Sequence, residues 1–114
     1  MSNNPPLTAR DTVRRRAHHR CERCLVPAPN GHLHHRRSRS VRDPHTHCPC
    51  NMVWLCGACH VDVHGHPFDA AKSGWIVSRH VILPTSITVH TPLGERALGC
   101  DGTVVFRAAE FSPN

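Results

Sequence analysis

Two Cys-x2-Cys pairs restrict what this chain can fold into more than any other feature of its sequence. Cys21 and Cys24 form the first pair and Cys56 and Cys59 form the second, with 31 residues between the pairs. Four thiolates presented by two tight turns are the tetrahedral donor set that structural zinc prefers. Because the binding energy of such a metal is folding energy, we expect one structural Zn²⁺ to stabilise the chain.

Because the chain has three further cysteines, the four ligands of this zinc are not determined by the sequence alone. Cys48 and Cys50 form a Cys-x-Cys pair, so a second way to hold the zinc is the set Cys48, Cys50, Cys56 and Cys59. We favour the first set because Cys-x-Cys holds zinc less often than Cys-x2-Cys. Cys100 is interpreted as a small buried apolar residue. The odd count of seven cysteines and the polar N-terminal residues argue against a disulfide framework.

The rest of the composition increases the need for a metal. The 114 residues fit a single domain but include only three Phe, two Trp and no Tyr, which predicts a small hydrophobic core. A core of that size usually needs disulfides or a metal for stability. No apolar stretch approaches the roughly 20 residues of a membrane-spanning helix. We therefore expect a cytoplasmic protein with no membrane partner.

Positive charge is concentrated at the start of the chain. Residues 1–42 hold ten Arg against Asp11 and Glu22, a net charge of +8, whereas the remaining residues carry −2. Arginine side chains suit bidentate contacts with phosphate oxygens, so this excess predicts binding to the phosphate backbone of nucleic acid. An ordinary solvated surface explains the charge equally well. The candidate DNA-binding residues are Arg14, Arg15, Arg16, Arg36, Arg37 and Arg39.

Turn residues and hydrophobic patterning divide the chain into short elements. We predict a helix over residues 8–20, a strand over 33–37, a loop over 38–49, a helix over 58–64 and a helical turn over 68–73. Short strand-like runs follow at 75–77, 87–89 and 103–106. These elements predict a flexible basic leader and helix (1–17), a core containing both cysteine pairs (18–67) and a C-terminal extension of short strands (68–114).

Four histidines lie among the cysteines in a pattern that indicates a second metal. His34 and His35 are neighbours on the predicted strand, so their side chains point to opposite faces. His60 and His64 are four residues apart and share one face of the predicted helix. Two helix imidazoles and one strand imidazole can form a metal site with open positions, which leaves the fourth as a free base. The alternative is that His34 or His35 only packs or donates a hydrogen bond.

The type of metal and the other histidines follow from the same chemistry. An all-imidazole site favours Zn, Ni, Co or Mn over Mg. We interpret His18 and His19 as an extension of the basic surface, and His45 and His47 as loop residues.

These residues together resemble the motif of the HNH endonucleases, also called the ββα-metal or His-Me finger family. The His34-His35 pair is similar to that of the colicin-type DNases, and Asn51 precedes His60 by nine residues, as in the second half of the motif. The two Cys-x2-Cys pairs match the zinc-stabilised branch of the family. The resemblance covers residues 18–67, and the whole chain also resembles the small HNH proteins of phages.

The resemblance implies a fold and a role for each residue. The expected fold class is α+β: a small ββα-metal core stabilised by a four-cysteine zinc, with an N-terminal helix and a short β-rich C-terminal extension. His35 would be the general base, His34, His60 and His64 would hold the catalytic metal, and Asn51 would position the loop that carries His35.

The resemblance also implies an activity. We expect metal-dependent hydrolysis of phosphodiester bonds in double-stranded DNA, with 5′-phosphate and 3′-hydroxyl products and a role in DNA processing or packaging. Because no recognition helix is evident in the sequence, we expect little intrinsic sequence specificity. The cofactors would be a structural Zn²⁺ and one catalytic divalent metal (Mn²⁺, Ni²⁺, Zn²⁺, Co²⁺ or Mg²⁺). A phage terminase is a candidate partner, and the location would be the host cytoplasm if a phage encodes the chain. The alternative from another class is a zinc-stabilised DNA-binding module without catalysis.

Overall fold

A computed structural model describes residues 4–108, which form three helices and two small antiparallel sheets. The helices are α1 (Leu7–Arg16), α2 (Gly57–Gly65) and α3 (Pro67–Lys72). The strands of the first sheet are β1 (His32–His35) and β2 (Met52–Leu55). Those of the second sheet are β3 (Val89–Thr91), β4 (Gly94–Leu98) and β5 (Val104–Ala108). Two short 3-10 turns cover Pro49–Asn51 and Pro84–Ser86. The expectation of an α+β protein is confirmed.

The hairpin of β1 and β2 lies between two helices. His34 pairs with Val53, and Leu33 pairs with Trp54, so alternation along the strands places these two pairs on opposite faces. The His34 ring contacts the histidine rings of α2, which therefore covers one face. The guanidinium of Arg14 in α1 lies 5.4 Å from the centre of the Trp54 ring on the other face. Every residue of β2 is buried as a result.

One buried cluster connects the sheets and helices of the described chain. It includes Val13 from α1, Leu55 from β2, Val63 from α2 and Leu98 from β4, each at most 1% exposed. Trp75, the largest fully buried side chain, lies in the same cluster. The C-terminal strands therefore bury apolar surface against the part of the chain that holds the cysteines. None of the helices within residues 4–108 is long and apolar enough to cross a membrane.

The first helix is shorter than predicted. It ends at Arg16 rather than at residue 20, because His18 and His19 adopt φ angles of 54° and 58°. This left-handed backbone cannot continue a right-handed helix. The N–H groups of His18 and His19 instead donate to the carbonyls of Arg15 and Arg14 and close the turn. No glycine marks this position, which explains why the sequence pattern missed the helix end.

The second and third helices and the first strand follow the sequence predictions closely, and the other strands do so less well. The helix predicted over 58–64 and the turn over 68–73 are confirmed as α2 and α3, and the strand over 33–37 is confirmed but ends at His35. The runs at 87–89 and 103–106 overlap β3 and β5. The strand predicted over 75–77 is wrong, since these residues form a bend and an extended connection.

Strand β4 was not predicted at all. It runs as Gly94-Glu-Arg-Ala-Leu98, a composition that is depleted in strands, and it is held by pairing with β3 on one side and β5 on the other. Residues 1–3 of the predicted leader and 109–114 of the predicted extension lie outside the described residues.

Candidate functional site

The four cysteines of the two Cys-x2-Cys pairs come together in one cluster. Their Sγ atoms all lie within 4.8 Å of one another, and Sγ of Cys24 is 3.8 Å from Sγ of Cys56. Two sulfurs bound at about 2.3 Å to a tetrahedral zinc are themselves about 3.8 Å apart. The cluster Cys21, Cys24, Cys56 and Cys59 could therefore hold a structural metal, and the alternative set that includes Cys48 and Cys50 is not assembled.

Backbone geometry prepares this cluster for thiolates. Sγ of Cys21 accepts a hydrogen bond from the N–H of Cys24, and Sγ of Cys56, at the N-cap of α2, accepts one from the N–H of Cys59, both at 3.4 Å. Burial opposes ionisation of Cys21, but backbone hydrogen bonds outweigh it and lower its pKa to about 7. Burial and the neighbouring thiols raise the pKa of Cys59 to about 12. A bound cation would remove that repulsion between thiolates.

Three histidines form a second cluster at the face of the hairpin covered by α2. Candidate ligand atoms of His34, His60 and His64 lie within 4.8 Å of one another, and Nε2 of His60 is 3.0 Å from Nε2 of His64. Two nitrogens bound at about 2.0–2.1 Å to a tetrahedral zinc lie about 3.3 Å apart, close to the observed separation. The spacing therefore fits a metal held by imidazole nitrogens.

A backbone carbonyl fixes the orientation of His34. Its Nε2 lies 2.8 Å from the carbonyl oxygen of Trp75, which can only accept a hydrogen bond, so Nε2 carries the hydrogen and Nδ1 has the free lone pair. Such a carbonyl partner is typical behind metal-binding histidines. Burial is the main cause that lowers the pKa of His34 to about 4, which keeps the ring neutral and able to bind a metal.

His35 follows His34 in the strand but is not one of the three clustered histidines. It is half-buried, and its Nε2 lies 3.0 Å from Nδ1 of His47. Burial, followed by the positive charge of Arg39, lowers the pKa of His35 to about 4. His47 was interpreted only as a loop residue; the sequence gives no sign that the loop folds back onto the strand at this point.

An open cleft of about 570 Å³ brings these groups together. His34, His35, His60 and His64 all border it, and so do the exposed arginines Arg39 and Arg79. Within residues 4–108, neither arginine forms an ion pair or a hydrogen bond, so both guanidinium groups are free to meet an anion. Arg79 was not predicted, because it lies 40 residues beyond Arg39 with no motif around it.

Three of the arginines assigned to DNA are structural instead. Arg36 and Arg37 are each 1% exposed. The guanidinium of Arg36 donates to four backbone carbonyls, those of Gly74, Cys50, Pro84 and Ile87. The guanidinium of Arg37 donates to the backbone carbonyls of Val81 and Ile82 and to the carboxylate of Asp43. Arg16 is also buried and forms a two-hydrogen-bond ion pair with Glu22. The assignment of these three residues to phosphate contacts is wrong, because their guanidinium groups are buried and donate hydrogen bonds within the fold.

The other two α1 arginines that were assigned to DNA lie away from the cleft. Arg14 is half-buried over the Trp54 ring, and Arg15 is exposed and forms an ion pair of 2.7 Å with Asp11. Of the six predicted DNA-binding residues, Arg36 and Arg39 line the cleft, and only Arg39 is exposed there.

Asn51 lies just before β2 and is completely buried. Its amide pairs with the backbone of Arg37 in both directions and donates to the carbonyl of Thr46. These contacts close the loop between β1 and β2 and hold its ends beside His35, in keeping with a positioning role.

A third cluster involves residues to which the sequence assigned little chemistry. His45, Cys48, Cys50 and Cys100 have candidate ligand atoms within 4.8 Å of one another. Cys100 is exposed, so its interpretation as a buried apolar residue is wrong. The spacing His45-x2-Cys48-x-Cys50 was the available signal, but the fourth group comes from a distant turn that no local pattern identifies.

The fold and these clusters define a small α+β protein with three groups of metal-ligating side chains. Comparison with protein-family models, with curated proteins and with solved structures finds no match to this chain.

Proposed function

We propose that the protein is a metal-dependent endonuclease of the HNH type that hydrolyses phosphodiester bonds in DNA. The observation that carries the proposal is the position of His35 beside the His34, His60 and His64 cluster, in a cleft with two unpaired arginines. The cleft thus combines a neutral base, a candidate metal site and positive charge, which are the parts that hydrolysis of a phosphodiester requires.

The histidine cluster would hold the divalent metal. Nε2 of His60, Nε2 of His64 and Nδ1 of His34 are the atoms free for it, since Nε2 of His34 is engaged by Trp75. A metal with open positions would supply positive charge beside the scissile phosphate and the leaving oxygen. The all-imidazole donor set favours Mn²⁺, Ni²⁺, Co²⁺ or Zn²⁺ over Mg²⁺.

His35 would act as the general base. It takes a proton from a water molecule whose oxygen forms a new bond to phosphorus, in line with the P–O3′ bond that breaks. The leaving 3′ oxygen gains a proton from solvent, and His35 releases its own proton to solvent, so the products are a 5′-phosphate and a 3′-hydroxyl. Because Nε2 of His35 faces His47, the base would work at Nδ1 while Nε2 donates to Nδ1 of His47.

His47 would then be a positioning residue. Its ring fixes the tautomer of His35 through the contact of 3.0 Å, in the way that a hydrogen-bonding partner orients a catalytic histidine. Arg39 and Arg79 would bind the phosphates on either side of the cut and so locate the backbone without reading bases. Contacts of this kind predict low sequence specificity.

The test is plasmid nicking by wild-type protein and by His35→Ala, in the presence of Mn²⁺, Ni²⁺, Co²⁺, Zn²⁺ or Mg²⁺ in turn. We expect His35→Ala to keep its fold, zinc content and DNA affinity but to lose at least about 100-fold in rate, the usual contribution of a general base. The matched control is His90→Ala, which removes an exposed histidine of β3 and should leave the rate unchanged.

Two results would count against an enzyme. Wild-type protein that binds DNA but never cleaves with any of the five metals would favour the alternative, a zinc-stabilised DNA-binding module. Full activity in His35→Ala would remove His35 from the mechanism. In His47→Ala we expect a smaller loss of rate and a shifted pH profile, and an unchanged profile would rule out its action through His35.

A further inference from the structure

We propose that His45, Cys48, Cys50 and Cys100 form a second structural zinc site, with one nitrogen and three sulfur ligands. This site is separate from the four-cysteine cluster and from the histidine cleft, shares no residue with either, and is independent of the proposed nuclease activity.

The ligand atoms are already close to the spacing that zinc requires. All four lie within 4.8 Å of one another, and Sγ of Cys100 is 3.9 Å from Nδ1 of His45. With Zn–S of about 2.3 Å and Zn–N of about 2.0–2.1 Å, a tetrahedral site places sulfur and nitrogen about 3.6 Å apart. Three thiols and one imidazole are also one of the usual donor sets of structural zinc.

The local backbone explains how the first three groups converge. His45, Cys48 and Cys50 belong to the loop between β1 and β2, where the N–H of Cys48 donates to the carbonyl of His45 at 3.2 Å. Pro49 then begins the 3-10 turn Pro49–Asn51, so Cys48 lies just before this turn and Cys50 lies within it. The loop therefore presents its donors on the same side.

The fourth group comes from the far end of the chain. Cys100 lies in the turn between β4 and β5. Sγ of Cys48 lies 3.9 Å from the carbonyl oxygen of Cys100, so the turn rests directly on the loop. A metal here would cross-link the C-terminal sheet to the loop that carries His47 and ends at Asn51.

The chemistry of the thiols supports a cation at this place. Three thiols so close together repel one another when ionised, and a Zn²⁺ ion would convert that repulsion into attraction. Within the described residues all seven cysteines are free, so no disulfide competes for them.

The experiment counts tightly bound zinc in full-length protein by elemental analysis after gel filtration. Cys100→Ser and His45→Gln should each lose one zinc equivalent per chain relative to wild type while keeping the four-cysteine zinc. Asp101→Asn, an exposed neighbour in the same turn, and His80→Gln, an exposed histidine, serve as matched controls and should lose none. Unchanged zinc content in both ligand variants would overturn the proposal.

Two measurements on wild-type protein test the site even if the ligand variants fail to fold. Replacement of zinc by Co²⁺ should give thiolate charge-transfer absorption that saturates at two equivalents, since the histidine cluster has no sulfur to contribute. N-ethylmaleimide should label Cys48, Cys50 and Cys100 only after chelation. Saturation at one equivalent, rapid labelling of these three thiols in the zinc-loaded protein, or a disulfide among them in mass spectrometry would each contradict the site.

Discussion

The side-chain amide of Asn51 pairs with the backbone of Arg37 as though it were a neighbouring strand. Oδ1 of Asn51 accepts from the N–H of Arg37 at 2.7 Å, and Nδ2 donates to the carbonyl of the same residue at 3.1 Å. The N–H of Arg36 donates to the carbonyl of Asn51 at 2.8 Å. These bonds extend the pairing of β1 with β2 beyond His35 and fix where the strand leaves the hairpin.

We expect Asn51→Ala to lower the free energy of unfolding by about 2–4 kcal/mol, because it leaves several buried polar groups without partners, each worth about 1–3 kcal/mol. Urea denaturation of zinc-loaded protein measures the loss. Asn30→Ala removes an exposed asparagine from a turn and should change stability by less than about 0.5 kcal/mol. Equal stability of the two variants would mean that the amide contacts contribute nothing.

The buried ion pair of Arg16 and Glu22 gives a second stability prediction. Glu22 is 1% exposed and accepts from two nitrogens of Arg16 at 2.8 and 2.9 Å, as well as from the N–H of Trp54 at 2.9 Å. Glu22→Gln leaves Arg16 buried without a counter-charge and should cost about 3–5 kcal/mol. The comparison is Glu95→Gln, which affects a half-exposed residue; a similar small loss in both variants would contradict the prediction.

Exposed and buried arginines of the cleft should behave in opposite ways. Arg39→Ala and Arg79→Ala should leave stability within about 0.5 kcal/mol of wild type but weaken DNA binding, and each should reduce the slope of log K against log[salt] by about 1. The matched control is Arg42→Ala, which removes an exposed arginine outside the cleft. Fluorescence anisotropy with a DNA duplex at several salt concentrations measures the slope.

Arg36→Ala tests a buried arginine in place of an exposed one. It removes the donors of several buried carbonyls and should destabilise the protein by more than about 3 kcal/mol. If Arg36→Ala were stable and bound DNA more weakly than wild type, Arg36 would be a phosphate-binding residue after all. Unchanged binding in Arg39→Ala and Arg79→Ala would exclude the cleft as the DNA site.

The sequence predicted the elements whose signals are local. The helix that carries His60 and His64 begins at a cysteine turn and is stopped by Gly65 and Pro67, so its position was correct within one residue. The four-cysteine cluster was also predictable, because two Cys-x2-Cys turns need only one approach in space to complete a tetrahedral set.

Long-range contacts could not be predicted in the same way. Arg36 and Arg37 resemble a surface charge run in the sequence, yet both are buried because carbonyls from residues 74–87 converge on them. Cys100 meets Cys48 across 52 positions of the chain, and Arg79 reaches the cleft from a connection that carries no motif. In each case the partner is set by tertiary folding rather than by spacing.

Two histidines with lowered pKa values should make stability depend on pH. The pKa values of His34 and His35 are lowered, chiefly by burial, to about 4, against about 6.5 in an unfolded chain. The unfolded state therefore binds more protons between these values, so the stability present above about pH 6.5 falls as the pH drops toward about 4. Urea denaturation at a series of pH values, with zinc content measured at each, determines the slope.

A conservative variant isolates the contribution of His34. In His34→Gln the side-chain amide can still donate to the carbonyl of Trp75 but does not titrate, so the dependence on pH should become weaker. His80→Gln, at an exposed position, should keep the wild-type slope. A slope that is the same in all three proteins would show that His34 is protonated as easily in the folded state as in the unfolded state.

Cys56→Ser separates the zinc of the four-cysteine cluster from the capping of α2. Sγ of Cys56 accepts from the N–H of Cys59 at the start of the helix, and a serine hydroxyl caps a helix well, so the cap survives the substitution. Loss of a structural zinc, worth about 10–16 kcal/mol in small zinc domains, would exceed the total stability of most domains, about 5–15 kcal/mol. We therefore expect Cys56→Ser to lose one zinc and to show no cooperative thermal transition by circular dichroism, as chelation of the wild-type protein should also do. A variant that melts like wild type with one zinc fewer would show that this cluster binds metal without supporting the fold.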